Sequence, residues 1–379
     1  MKQITRLANF FVGQSLQIKP RDRVFIKYKN EILVPLVVEV IQQVFDAGGV
    51  PYVKMEDLEI KNILSERYGV DGAKMFAMQR KFEIENFDAS ISIGYQSELT
   101  HRKPNPEFKK EYARIMEEMG LVGKGPKRWL LFNYPSEVGA KKAMQDYEKY
   151  EASYLNAVLY DYKQLQKDCK SLQELLNKTN EIRIVAPGTD IILRKDNIPS
   201  VLLAGEHNLP DGELYTAPIK TKVNGYVTFN VPIIKDSHKF ENVKLYFKDG
   251  KVISFNVDGD AVAFESFLNM DDGARYIGEF AFGLNQNLFY PVIDTLCDEK
   301  ITGSVHMALG NCYKNTNNGN KSALHWDLIK ILRKDYGGGE VYFDGKLIQK
   351  DGLFLSKELL SLNAKMGKTD MENTDMERC

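Results

Sequence analysis

The chain has 379 residues, 43% of them hydrophobic, which is enough for two or three domains with substantial cores. Lys and Arg (51) against Asp and Glu (52) leave a net charge of −1, which excludes a basic field that would recruit nucleic acid or an anionic membrane. No apolar run approaches the ~18 residues that span a bilayer. The four cysteines, Cys169, Cys297, Cys312 and Cys379, form no CxxC pair and read as reduced thiols of a soluble cytoplasmic protein.

The N-terminal "MKQITRLANFFVGQSLQIKP" lacks the long apolar centre and small-residue cleavage site of a signal peptide. Its Ile4, Leu7, Ala8, Phe11 and Val12 fall on one face of an amphipathic helix. "DRVFIKY" (22–28) predicts a buried strand, and "LVPLVVEVIQQVFDAGG" (33–49) a helix closed by glycine. "VPYVKM", "FDASISIGY" (87–95) and "KRWLLFNYP" (127–135) supply three more strands. Strand–helix alternation of this kind implies parallel pairing through right-handed crossovers. His101, in "HRKPNP", is assigned to a solvent-facing loop or a domain contact, and residues 153–178 carry a helical period that leads out of the domain.

Near residue 180 the pattern changes. "EIRIVAPGTDIILRK", "GYVTFNVPI", "VKLYFKDGKVISFNVDG" and "GGEVYFDGKLIQKDG" predict hairpins punctuated by Asp-Gly turns, with "AVAFESFLNMDDGARYIGEFAFG" (261–283) interrupting them as a helix. The expected fold class is α/β: an N-terminal open α/β domain with a mainly parallel sheet (1–180), then a C-terminal α+β domain rich in antiparallel strands and carrying the chemistry (181–366). The polar tail, 367–379, is expected to be disordered.

There is no GxGxxG between a strand and a helix, no Walker A loop, no GxSxG elbow and no HExxH. "YGGGE" (336–340) precedes a strand and reads as a turn. Titratable groups in apolar settings are more informative. "GSVHMALG" sets His306 among small and apolar residues, "ARYIGEFAFG" does the same for Glu279, and "LPDGELYTAP" places Glu213 just past an Asp-Gly turn. In "LHWD", His325 and Asp327 diverge if the segment is helical and project together if it is extended. Singly these are ordinary core or surface groups. Together, with no compensating Lys or Arg expected beside them, they call for a cation, and carboxylate plus imidazole suits zinc, cobalt or manganese. The residues alone leave both readings open.

"DGELYTAP", "GARYIGEFAFG", "DEKITGSVHMALG", Tyr313 and "HWD" occur in the order found in the aminopeptidase T family of metallo-aminopeptidases, which the chain resembles over most of its length. The resemblance implies two divalent metals (Zn, Co, Mn or Mg) held by Glu213, Glu279, Glu299, His306, His325 and Asp327. It also implies a catalytic Tyr313, a Glu213 that is either ligand or general base, and a homodimer acting on short peptides with a free N-terminus. A non-catalytic relative that binds peptides or metals, or a dinuclear hydrolase of another amide, is the alternative. The Glu299–His306 spacing is longer than the family's, and the link "KNTNNGNKSAL" is shorter, with an Asn/Gly content that suits a mobile loop.

Overall fold

Val24 and Ile26 of strand β1 (Arg23–Tyr28) are fully buried in the computed structural model, which describes residues 3–95, 105–121 and 124–364. Strands β2 (Val50–Met55), β3 (Ala89–Tyr95) and β4 (Arg128–Tyr134) join β1 in an all-parallel sheet, in the order β2-β1-β3-β4, and the short strand Asn208–Leu209 lies beside β4. Ile91, Ile93, Leu130 and Phe132 continue the buried face. The helix Val34–Asp46 buries Leu36, Val37, Val40 and Val44, which are spaced at one helical face. Phe11, just beyond the helix Gln3–Asn9, meets Phe132 with ring centroids 5.0 Å apart. The four strands read from the alternation of apolar runs are therefore present, and they form an open α/β unit. That unit comprises Met1–Leu155 with Gly205–Leu209. His101 and the tail 367–379 lie outside the described residues.

The second unit is Asn156–Ala204 with Pro210–Cys379. It takes in the helices Tyr162–Asp168 and Lys170–Lys178, which precede the change of pattern at residue 180. A nine-stranded antiparallel sheet forms from hairpins whose turns carry positive φ at both central residues: Asp249–Gly250 (49° and 82°), Asp344–Gly345 (47° and 80°) and Asp351–Gly352 (50° and 77°). This geometry is what Asp-Gly tolerates and most pairs do not. A five-stranded antiparallel sheet completes the unit: β5 (Val201–Leu203), β6 (Glu213–Thr216), β7 (Ile277–Gly283), β8 (Ser304–Gly310) and β9 (His325–Ile331), in the order β9-β8-β7-β6-β5. One face of it is core. Phe282 packs on Phe343 and Phe354, and Trp326 on Phe240, Phe264 and Phe267.

Two expectations are corrected. The helix predicted over 261–283 stops at Leu268, and β7 follows. Asp271 accepts the Gly273 N–H at 2.9 Å to form a turn, and from Glu279 onward the period is that of a strand, with Phe280 and Phe282 on one side and Glu279, Ala281 and Gly283 on the other. The link "KNTNNGNKSAL" is tied down rather than loose. Asn318 donates to Pro218 O (2.8 Å) and Ile277 O (2.9 Å), Asn320 donates to Gly273 O (2.9 Å) and Gly310 O (2.6 Å), and Asp271 accepts the Ser322 hydroxyl (2.8 Å) and the Ala323 N–H (2.7 Å).

A β-bulge between Ile277 and Glu279 sets Glu279 opposite Ala308. Gly278 occupies it because a Cβ there would lie 2.3 Å from Asn311 O and 2.5 Å from Gly310 O. Since both obstacles are backbone, Gly278→Ala is expected to cost about 2–3 kcal/mol, at the upper end of ordinary substitutions. Urea denaturation checks this: an unchanged midpoint would mean the bulge relaxes freely.

Candidate metal centre

Strand periodicity brings the titratable residues to one face of the five-stranded sheet. Glu213 on β6, Glu279 on β7, His306 on β8, and His325 and Asp327 on β9 all project to the side opposite Phe282 and Trp326. Their cross-strand neighbours are small: Ala281 lies opposite His306, and Ala308 opposite both Glu279 and Asp327. Beside this trough of titratable groups, Ile329 and Ile331 of the same face pack with Ile301, Leu288 and Ala157. "HWD" is extended, so its histidine and aspartate share the trough while Trp326 enters the core.

The donor atoms fall into two sets that meet at one residue. His306 Nε2 lies 3.3 Å from Glu213 Oε2 and 3.6 Å from Glu279 Oε1. His325 Nε2 lies 3.4 Å from the other oxygen of Glu279, Oε2, and 3.6 Å from Asp327 Oδ1. Each set holds its ligand atoms within 4.8 Å of one another, and a further grouping of the same compactness joins Glu299, His306 and Asp327. His325 Nδ1 is 3.0 Å from Asn311 O, so in the neutral ring it carries the hydrogen and Nε2 turns its lone pair to the trough. Glu213 Oε2 and Asp327 Oδ1 are buried without a well-formed hydrogen bond. Orphaned oxygens among imidazole nitrogens, with no thiolate nearby, are a donor set that fits divalent cations.

Electrostatics sharpen the picture. Burial opposes ionisation of Glu213, yet Lys300 and His306 overcome it and hold its carboxyl at about 2. Burial raises Glu279, and it raises Glu299 well above the ordinary carboxyl range despite Lys300. For both imidazoles burial works against the charged form, but the carboxylates win: Glu213 and Glu279 push His306 well up, and Asp327 and Glu279 raise His325. Without a metal, the cluster therefore retains protons. Tyr313 is half-exposed, its hydroxyl 3.4 Å from His325 Nε2 and its ring 5.2 Å from that of Tyr215. Burial and the carboxylates raise its pKa, so it remains a protonated donor.

All seven residues singled out in the sequence thus come together, though Glu299 does so differently. It caps the short helix Thr295–Asp298 and pairs with Lys300 at 2.7 Å. Lys300 corrects the expectation that no cation lies nearby: it is fully buried, with Nζ 2.5 Å from Glu213 Oε1 and 3.9 Å from Asp211 Oδ1. Asp211 was also missed, having been absorbed into the Asp-Gly turn before Glu213. The signal for Lys300 was its place beside Glu299, six residues before His306.

A family model described as thermophilic metalloprotease (M29) matches residues 1–354. Aminopeptidase 2 of Geobacillus stearothermophilus is 31% identical over 166 residues, which is 38% of this chain and 37% of that protein. The aligned segment thus spans little more than a third of that relative. Among solved structures, wild-type AmpT from Thermus thermophilus matches with a TM-score of 0.73 at 16% identity, covering 93% of this chain and 99% of the other. The 2,5-dihydroxypyridine dioxygenase of Pseudomonas putida KT2440 matches with a TM-score of 0.61 at 14% identity, covering 95% and 99%. At these identities both structures speak to the fold alone. With the family model matching all but the last 25 residues (379 − 354), the chain belongs to the thermophilic metalloprotease (M29) family.

Proposed function

We propose that this protein is a metal-dependent aminopeptidase whose centre holds two divalent ions bridged by Glu279. Family membership implies a divalent metal and peptide substrates. The observation that carries the two-ion reading is the division of Glu279: one oxygen faces Glu213 and His306, the other His325 and Asp327. Charge supports it. Five buried carboxyl groups (Asp211, Glu213, Glu279, Glu299 and Asp327) share the region with one buried ammonium, Lys300, and divalent ions would favour their ionised forms. Such ions acidify a bound water and polarise the scissile carbonyl. The chain's own groups do the rest. His306, His325, Glu213 and Asp327 would supply the donors, and Tyr313, its hydroxyl 3.4 Å from His325 Nε2, is the proposed donor to a developing oxyanion. Both Glu213 oxygens are already engaged, Oε1 by Lys300 at 2.5 Å and Oε2 by His306 at 3.3 Å, which favours ligand over general base.

Further elements of the proposal are peptides with a free N-terminus as substrates and a cytoplasmic homodimer. Among the described residues no disulfide joins Cys169, Cys297 and Cys312, in keeping with a reducing compartment. Among the described residues no helix is long and apolar enough to cross a membrane.

Chelation should abolish hydrolysis of aminoacyl amides, and Zn, Co, Mn or Mg should restore part of it; full turnover in metal-free protein would end the proposal. Acetylated peptides should resist cleavage, and equal rates on free and blocked peptides would point to an endopeptidase or another amidase. Glu279→Ala should lose metal and turnover together. Tyr313→Phe should keep its metal and lose about 10²–10³ in kcat, the cost of one oxyanion donor. Metal analysis beside kinetics separates the two, and the opposite pattern would reverse their roles. Because His306 and His325 are raised in the metal-free protein, protons compete with metal, so apparent affinity should fall as pH drops through neutrality. Calorimetric titrations across pH read this directly, and a flat profile would exclude the imidazoles as ligands.

A further inference from the structure

Lys300 has no solvent exposure, and its Nζ lies 2.5 Å from Glu213 Oε1, 2.7 Å from Glu299 Oε1 and 3.9 Å from Asp211 Oδ1. Its backbone is held at both ends: its N–H donates to Cys297 O at 2.9 Å, and its carbonyl accepts the Asn285 N–H at 3.0 Å. The turn that delivers it is braced by Asp298, whose buried carboxylate accepts the Val292 N–H at 2.7 Å. The ammonium thus sits fully buried between Glu213 and Glu299. Glu213 is accordingly divided. Oε1 meets Lys300, and Oε2 turns to His306, 3.3 Å away.

We propose that Lys300 is a positioning residue of the metal centre: held on its other side by Glu299, it clamps the outer oxygen of Glu213, so that one Glu213 oxygen alone is presented to the metal. The inference rests on the metal-centre assignment above and assigns Glu299 to the ammonium rather than to an ion. It differs in sign from simple electrostatics. A lysine that merely repelled or displaced a divalent ion would, on removal, leave a more negative site with higher metal affinity. A lysine that aims a ligand leaves, on removal, a site that binds less well; groups that orient metal ligands typically contribute 10–100-fold in affinity. It differs also from a structural counter-ion, whose loss is repaired by removing the charge it balanced.

The test is cobalt(II) binding to chelated full-length protein by calorimetry, with metal content by mass spectrometry and thermal stability of the metal-free form alongside. Lys300→Met is expected to weaken binding of one ion about 10–100-fold and to destabilise the metal-free protein. Glu299→Gln alone is expected to keep affinity within a few-fold, since Lys300 retains Glu213. The double variant, Glu299→Gln with Lys300→Met, removes both members of the 2.7 Å Lys300–Glu299 contact together. It should regain metal-free stability while its metal affinity stays at least tenfold down, and it decides the matter if Lys300→Met alone does not fold. Wild-type affinity in the double variant, equal or tighter binding in Lys300→Met, or a loss in Glu299→Gln as large as in the double would each overturn the proposal. If wild-type protein binds no cobalt, it is the metal-centre assignment that falls, and this inference with it.

Discussion

Five carboxylates buried on and around one face of a small sheet repel one another, and the rest of the second unit is arranged around that repulsion. In a low-dielectric setting such charges persist only if paired, protonated or bound to cations. The structure uses the first two means. Lys300 pairs with Glu213 and Glu299, while Glu279, Glu299, His306 and His325 are shifted toward their protonated forms. A divalent ion held by these residues would supply the third, its ligands giving up those protons.

Backbone geometry makes this affordable. Antiparallel pairing aligns donors from four strands across one face, and alanines between them leave room for ions rather than side chains. The bulge at Gly278 sets the register of Glu279, the residue on which the division into two donor sets depends. None of this follows from the architecture itself, since a dioxygenase from Pseudomonas putida shares the fold at 14% identity. The chemistry has to be argued from the side chains in the trough.

Much of this was legible in the sequence. Short apolar runs identified the four parallel strands of the first unit, Asp-Gly pairs marked the hairpin turns of the second, and the two-residue spacing of His325 and Asp327 required an extended segment if the pair was to act together. What was hidden depends on tertiary context. Lys300 follows an aspartate and a glutamate, a run that reads as solvated surface; its burial comes from Asn285 and Cys297 holding its backbone, and Asn285 lies 15 positions away (300 − 285). The helical reading of 261–283 failed because a strand buried on both faces shows no polar side to betray its period. The asparagines after Tyr313 suggested looseness, yet their amides bond backbone carbonyls of other segments, contacts that composition does not reveal.

The central claim is that one carboxylate, Glu279, joins two metal sites. Anomalous diffraction from crystals grown with cobalt or zinc, recorded on both sides of the metal edge, tests it most directly. Two peaks are expected, one near Glu213 and His306, the other near His325 and Asp327, each about 2.0–2.2 Å from a different oxygen of Glu279. A single peak, or a second ion that Glu279 does not touch, would contradict the account.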